Sequence, residues 1–157
     1  MSDTQRLAAV ILDEQVAGPR DPDIEQERRV AIQDLLEQNT FAPAESSGGP
    51  YRLYLSVEDS SIVLDVRSEA DVPVSRVLLP LSPFRRIIKD YRLICDSYFD
   101  AIKDAPPARV ETLDMGRRGV HNEAADLLIE KLRGRVAVDF ETARRLFTLL
   151  CVLQARK

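Results

Sequence analysis

The sequence predicts an α+β fold. Two segments, 51–57 and 61–67, alternate apolar and polar residues as half-buried strands do. From residue 84 onward the apolar spacing changes to the period of an amphipathic helix. Strands are grouped first and helices afterwards, an order that separates α+β from alternating α/β chains. The predicted architecture is an N-terminal strand and helix, then a small antiparallel meander, then three to four helices packed on one face of the sheet.

Leu7-Ala8-Ala9-Val10-Ile11-Leu12 is an apolar run of strand length. Gly18-Pro19 breaks the chain, and Asp21-Pro22 suits an N-cap followed by the first helical residue. Ile24, Ala31 and Leu35 then recur at helical spacing, with Glu25, Arg28, Arg29, Gln33 and Glu37 opposite, and this helix is expected to end near Asn39. Residues 43–50 read as a loop from their Pro, Ser and Gly content. Tyr51, Leu53, Leu55 and Val57 share one strand face, and Ile62, Leu64 and Val66 share another across an Asp59-Ser60 turn. Val74 to Leu81 is the third meander strand, entered through Asp71-Val72-Pro73. Short connections of this kind favour antiparallel pairing.

Ser82-Pro83 reads as a helix start, and Phe84, Ile87, Ile88, Tyr91, Ile94, Cys95, Tyr98 and Ile102 form one apolar face. Pro106-Pro107 ends that helix. A helical stretch follows from about Arg109 with Val110, Leu113 and Met115 inward, interrupted by Gly116-Arg117-Arg118-Gly119. Helix resumes near His121 with Ala124, Leu127, Leu128 and Leu132 inward, and Gly134 fits its C-terminal cap. Val136-Ala137-Val138 reads as a short strand, and Asp139 or Thr142 caps a last helix. From Leu146 to Leu153 that helix is apolar nearly all round, which predicts deep burial. The chain has no internal repeat, and its 157 residues suit a single domain spanning 1–157.

Composition narrows the function classes. Charged residues make up 31% of the chain, above the roughly 25% of an average domain, which predicts a well-solvated surface. Residues 1–50 carry 10 acids and 4 bases, whereas residues 51–157 carry 16 acids and 18 bases. That second balance is too small for a nucleic-acid footprint, so a nucleic-acid partner is not favoured, although a local basic patch stays open. The N-terminus lacks the basic and apolar regions of a signal peptide, and no apolar run approaches the roughly 20 residues of a membrane span. A cytoplasmic location is expected, with no membrane partner. Cys95 and Cys151 lie in apolar helical contexts and read as reduced, buried thiols.

The segment from Asp114 to Glu123 is the most unusual. Two glycines bracket Arg117 and Arg118 just before the predicted helix start, and His121, the only histidine, follows with Asn122 and Glu123. Free backbone N–H groups at a helix N-terminus together with guanidinium groups make an anion site. Arg85, Arg86 and Arg144 are candidate supports. Against this stands a structural role: the chain holds the pairs Arg28-Arg29, Arg85-Arg86, Arg117-Arg118 and Arg144-Arg145 with 26 acids to meet them. Arg85, Lys89 and Arg92 share a helical stripe, but Asp96 continues it, so a mixed-charge solvated face is an equal reading.

Other chemistries find no support. His121 and Glu123 diverge on a helix, and no His-Glu-x-x-His is present, so no metal site is expected. Gly48-Gly49 lacks the Lys and Ser/Thr of a phosphate-binding loop, no dinucleotide fingerprint follows a strand, and no serine lies in a nucleophile elbow. No cofactor is expected.

Three stretches also carry a resemblance. Ser-Pro-Phe-Arg-Arg-Ile-Ile-Lys-Asp-Tyr at 82–91, Asp-Met-Gly-Arg-Arg-Gly-Val-His-Asn-Glu at 114–123 and Thr-Ala-Arg-Arg-Leu-Phe-Thr-Leu at 142–149, with Gly-Pro-Tyr at 49–51, resemble a family of short alphaproteobacterial proteins. That family is catalogued only as uncharacterised. The resemblance implies a cytosolic bacterial protein and supplies no activity, cofactor or catalytic residue.

Two readings of function follow. In the first, the chain is a non-catalytic binding or regulatory module for a protein or an anionic ligand, with its site around the Gly-Arg-Arg-Gly segment. In the alternative it is a small enzyme for a phosphorylated or carboxylated substrate. Arg117 and Arg118 would then clamp the anion, and His121 or Glu123 would act as acid–base group.

Overall fold

A computed structural model describes residues 4–13, 22–46 and 48–154. The elements are β1 (Leu7–Leu12), α1 (Pro22–Glu37), β2 (Phe41–Pro43), β3 (Tyr51–Glu58), β4 (Ser61–Ser68), β5 (Pro73–Pro80), α2 (Ser82–Asp104), α3 (Pro107–Leu132), β6 (Val136–Val138) and α4 (Phe140–Gln154). The predicted break at Gly18-Pro19 and the predicted cap at Asp21 lie outside the described residues.

The α+β prediction holds, with one change to the sheet. Its order is β1-β3-β4-β5, and the three meander strands pair antiparallel as expected. Strand β1, however, pairs parallel with β3. A parallel pair needs a crossover connection of a dozen residues or more, and the segment carrying α1 supplies it. Asp59 adopts φ 57° in the β3–β4 turn, a left-handed conformation that aspartate tolerates. Part of the predicted loop at 43–50 is strand instead, because Phe41–Pro43 pairs with Val136–Val138 in a separate two-stranded ribbon.

One sheet face supplies Leu7, Leu53, Leu55, Ile62, Leu64, Val66, Val77 and Leu79 to a core completed by the helices. Helix α4 lies at its centre. Its residues from Leu146 to Val152 are all buried, including Phe147, Leu149 and Cys151 at 0% exposure. Helices α1 and α3 pack against α4, and α2 packs against α3. Asp139 caps α4 by accepting the Thr142 N–H at 2.9 Å, and the Thr142 hydroxyl oxygen accepts the Thr40 N–H at 3.0 Å. Both cysteines are buried and free.

Three details depart from expectation. Ser82 is the first residue of α2 and not its cap; Leu81 precedes it without a side-chain cap, and the turn is held by backbone bonds from Leu81 N–H to Ser60 and from Phe84 N–H to Leu81. Ile102 and Met115, expected inward, are 52% and 68% exposed. Helices α2 and α3 are longer than α4, so α4 cannot cover their whole apolar stripes. Finally, α3 runs unbroken through Gly116-Arg117-Arg118-Gly119. Two glycines cost a helix only about 1 kcal/mol each, less than α3 gains from packing along α2 and α4.

The glycines themselves do different jobs. Gly116 lets α2 approach, since a Cβ there would lie 2.6 Å from Ile94 Cδ1, whereas a Cβ on Gly119 meets nothing within 4 Å. Gly49 sits at φ +111°, and a Cβ there would lie 2.0 Å from the Thr4 carbonyl oxygen. Gly119→Ala should therefore raise stability by up to ~1 kcal/mol, the ordinary gain inside an exposed helix. Gly49→Ala should lower it by about 3 kcal/mol or more, from strained φ and backbone collision together. Urea unfolding of both variants checks the pair.

Candidate functional site

Four helices converge on a cleft of about 300 Å³. Helix α1 lines it with Glu27, Val30, Ala31 and Asp34; α2 with Tyr91; α3 with Arg117 and His121; and α4 with Glu141, Arg144, Arg145 and Thr148. The volume is at the small end of the range for metabolite sites, roughly 300–1,000 Å³.

His121 forms its floor. The Arg144 carbonyl only accepts, so His121 Nε2 carries the proton and donates to it at 2.8 Å; Thr148 Oγ1 lies 3.1 Å from the same nitrogen. Nδ1 is then an acceptor and takes an N–H from Arg144 Nη2 at 3.2 Å. The ring stacks on Tyr91 with centroids 5.0 Å apart. Burial, reinforced by the Arg144 guanidinium, pushes the imidazole pKa down to about 4. The ring is thus neutral with both nitrogens engaged. Burial also raises the Tyr91 hydroxyl and the thiols of Cys95 and Cys151 above their ordinary values, so all three stay neutral.

The arginines differ in how their charge is spent. Arg117 binds Asp114 Oδ1, and its guanidinium lies 4.6 Å from the Tyr98 ring centroid. Arg118 binds the other Asp114 oxygen at 2.9 Å and is 67% exposed. Arg144 reaches Glu141 only at 3.3 and 3.5 Å, and Arg145 reaches it at 3.9 Å. The Nε groups of Arg117 and Arg144 are buried without a hydrogen-bond acceptor.

Glu27 is the unexpected member. Burial raises its carboxyl pKa, and Arg92 and Arg117 only partly oppose this. Among the described residues its carboxylate has no hydrogen bond or ion pair.

The cleft therefore brings together Arg117, His121 and Arg144 from the predicted set, and leaves out the rest. Arg85 and Arg86 are exposed on the first turns of α2, with Arg86 3.9 Å from Asp90. Arg118, Asn122 and Glu123 are exposed and do not line the cleft. Because α3 is continuous, the Gly-Arg-Arg-Gly segment presents no free helix N-terminus, and the backbone half of the predicted anion site does not exist. Glu27, Asp34, Tyr91, Arg145 and Thr148 were not predicted. The signal available for Glu27 was its place between Ile24 and Ala31, on the inward border of α1 where a carboxylate is out of pattern.

A second concavity, about 360 Å³, lies on the outer sheet face around Tyr54, Asp65, Arg67 and Arg76. Most of its charged groups pair with one another, although among the described residues Asp13 does not and the Nε of Arg67 is buried without an acceptor. Asp71 accepts Tyr54 O–H at 2.8 Å and Arg67 Nη1 at 3.2 Å, Arg67 also binds Asp65 at 3.0 Å, and Arg76 meets Glu58 at 3.6 Å. Among the described residues no group of three or more His, Cys, Asp or Glu side chains is placed to hold a metal ion, and no helix is long and apolar enough to cross a membrane.

The sequence matches the model of an uncharacterised protein family, UPF0262, over residues 4–156. The chain belongs to that family. The UPF0262 protein Atu0536 of Agrobacterium fabrum is 54% identical over 151 residues, covering 96% of each chain. The UPF0262 protein Rleg2_0240 of Rhizobium leguminosarum has the same identity and coverage. A UPF0262 protein of Erythrobacter litoralis is 54% identical over 155 residues, covering 96% of this chain and 97% of its own. These relatives are alphaproteobacterial, as the sequence resemblance implied. No activity is assigned to the family. No solved structure matches the chain.

Two measurements test the electrostatics. The folded-state pKa of His121 lies below its ordinary 6.5, so the stability it contributes is complete above pH 6.5 and is lost as pH falls toward about 4. NMR titration should show a neutral, Nε2-protonated ring at pH 6, and His121→Gln should lose less stability than wild type between pH 6.5 and 4. Glu27 has the opposite sign. Its carboxyl is raised above the ordinary 4.5, so the ionised form destabilises the fold at neutral pH. Glu27→Gln should raise the melting temperature at pH 7, with the gain vanishing as pH falls below 4.5.

Proposed function

We propose that residues 1–157 form a single cytoplasmic domain that acts as a binding or regulatory module without catalysis, and that the four-helix cleft takes a small anionic ligand. Arg144 is the central contact, with Arg145 and Arg117 beside it. The observation that carries this reading is how Arg144 is held. A neutral imidazole takes one N–H of its guanidinium, so the group that orients this side chain on the cleft lining carries no charge of its own. A carboxylate or phosphate oxygen in the cleft takes the guanidinium N–H groups that remain. Glu141 is not a strong competitor: it is 54% exposed and its contacts are long, and such ion pairs are worth ~0–1 kcal/mol.

Against catalysis by the predicted acid–base groups stands their placement. His121 has both nitrogens committed, and Glu123 is outside the cleft. A cleft of about 300 Å³ also suits a small molecule better than a phosphodiester chain, which agrees with the weak basic balance of residues 51–157.

His121 is the built-in reporter. Titrating the protein with inorganic phosphate, and separately with acetate, should raise the imidazole pKa, because an anion on Arg144 offsets the charge that reinforces burial. In Arg144→Gln the imidazole pKa should start higher and no longer respond. An unchanged His121 titration at roughly tens of millimolar of both anions would sink the proposal.

A further inference from the structure

The cleft has two walls of opposite character. On α1, Glu27, Val30, Ala31 and Asp34 stand at i, i+3, i+4 and i+7, a single stripe with a carboxylate at each end and apolar surface between. On α4, Arg144 and Arg145 face the same space. Neither α1 carboxylate has a hydrogen bond or ion pair among the described residues. The two cations whose charge acts on Glu27 have other partners: Arg117 is bound to Asp114, and Arg92 donates to the Cys151 carbonyl at 2.8 Å.

An unpaired, half-buried carboxylate is costly to a fold, and removing it is the easier solution. Here it lines the cleft instead, together with Arg144 and Arg145, whose one shared carboxylate is exposed. We infer that the ligand is a small zwitterion, with a cationic nitrogen on Glu27 and an acidic group on Arg144 and Arg145. Asp34 widens the acidic wall at the other end of the stripe, and Val30 and Ala31 accept a short aliphatic body between the two charges. The inference rests on the anion-site reading and adds the second charge, the size and the orientation of the ligand.

Matched probes separate the two. Binding is measured by calorimetry and by His121 shifts for 3-aminopropanoate, 4-aminobutanoate and 5-aminopentanoate, each beside the acid that lacks the amine. At least one amino acid should bind ~10-fold or more tightly than its matched acid. Glu27→Gln should erase that advantage, and Arg144→Gln should weaken amino acid and plain acid alike. Asp34→Asn serves as a second variant, expected to reduce the advantage less than Glu27→Gln. If every plain acid binds as well as its amino acid, the zwitterion inference is overturned and the anion site stands. If neither class binds, both fall. If Glu27→Gln weakens plain acid and amino acid alike, Glu27 shapes the cleft without reading a cation, and the inference is overturned.

Discussion

Helix α4 has no solvent face from Leu146 to Val152, and the rest of the molecule is arranged around that fact. A helix buried on all sides must have its polar side chains satisfied by its neighbours. Thr142 is satisfied by the Thr40 backbone, and Thr148 by the Arg144 carbonyl and His121. These bonds tie α4 to the end of α1 and to α3. Phe147 completes the arrangement from the apolar side, with its ring 5.7 Å from Tyr91 and 5.8 Å from His121. The first turns of α4, where Arg144 and Arg145 emerge, are thereby held rigidly over the cleft. The same packing that builds the core also aims the charged groups.

The two concavities show what such aiming changes. On the outer sheet face, Arg52 and Arg67 are directly opposed across β3 and β4, an unfavourable register for like charges. Asp71, at φ +68°, reaches both, binding Arg67 at 3.2 Å and lying 3.7 Å from Arg52, and it also takes the Tyr54 hydroxyl. The hydroxyl bond, above all, holds its carboxyl below the usual range. Most charges on that surface are paired. In the helical cleft Glu27 and Asp34 have no ion pair among the described residues, and Arg144 and Arg145 share one exposed carboxylate, Glu141. Stability alone favours the first arrangement over the second.

Much of the fold was legible because its signals are local. The meander follows from alternation at 51–57 and 61–67, and the burial of α4 follows from an apolar run with no polar face. The parallel pairing of β1 was not legible, because parallel register depends on a long crossover and not on β1's own residues. The Gly-Arg-Arg-Gly break failed for a related reason. Glycine lowers local helix propensity, but tertiary packing along α3 outweighs it, and Gly116 is there for the close approach of Ile94. The site was legible in part. His121 and Arg144 stood out by rarity and pairing, whereas the one sign of Glu27, a carboxylate on the inward border of α1, gains meaning only once α4 is seen to pack against α1.

The choice of histidine at position 121 follows from this charge logic. An arginine can be oriented by a carboxylate or by a neutral acceptor. Asp114 does the first for Arg117 and Arg118, and one of their two charges is then offset within α3. His121 does the second for Arg144, and it can do so only while unprotonated, because a protonated ring has no lone pair to accept the guanidinium N–H. Burial against Tyr91 and Phe147 enforces that state. The cost is a ring that resists protonation and so weakens the fold in acid. The return is one guanidinium held in place beside the cleft with its charge largely intact, and neither an aspartate nor a solvent-exposed histidine at this position would leave it so.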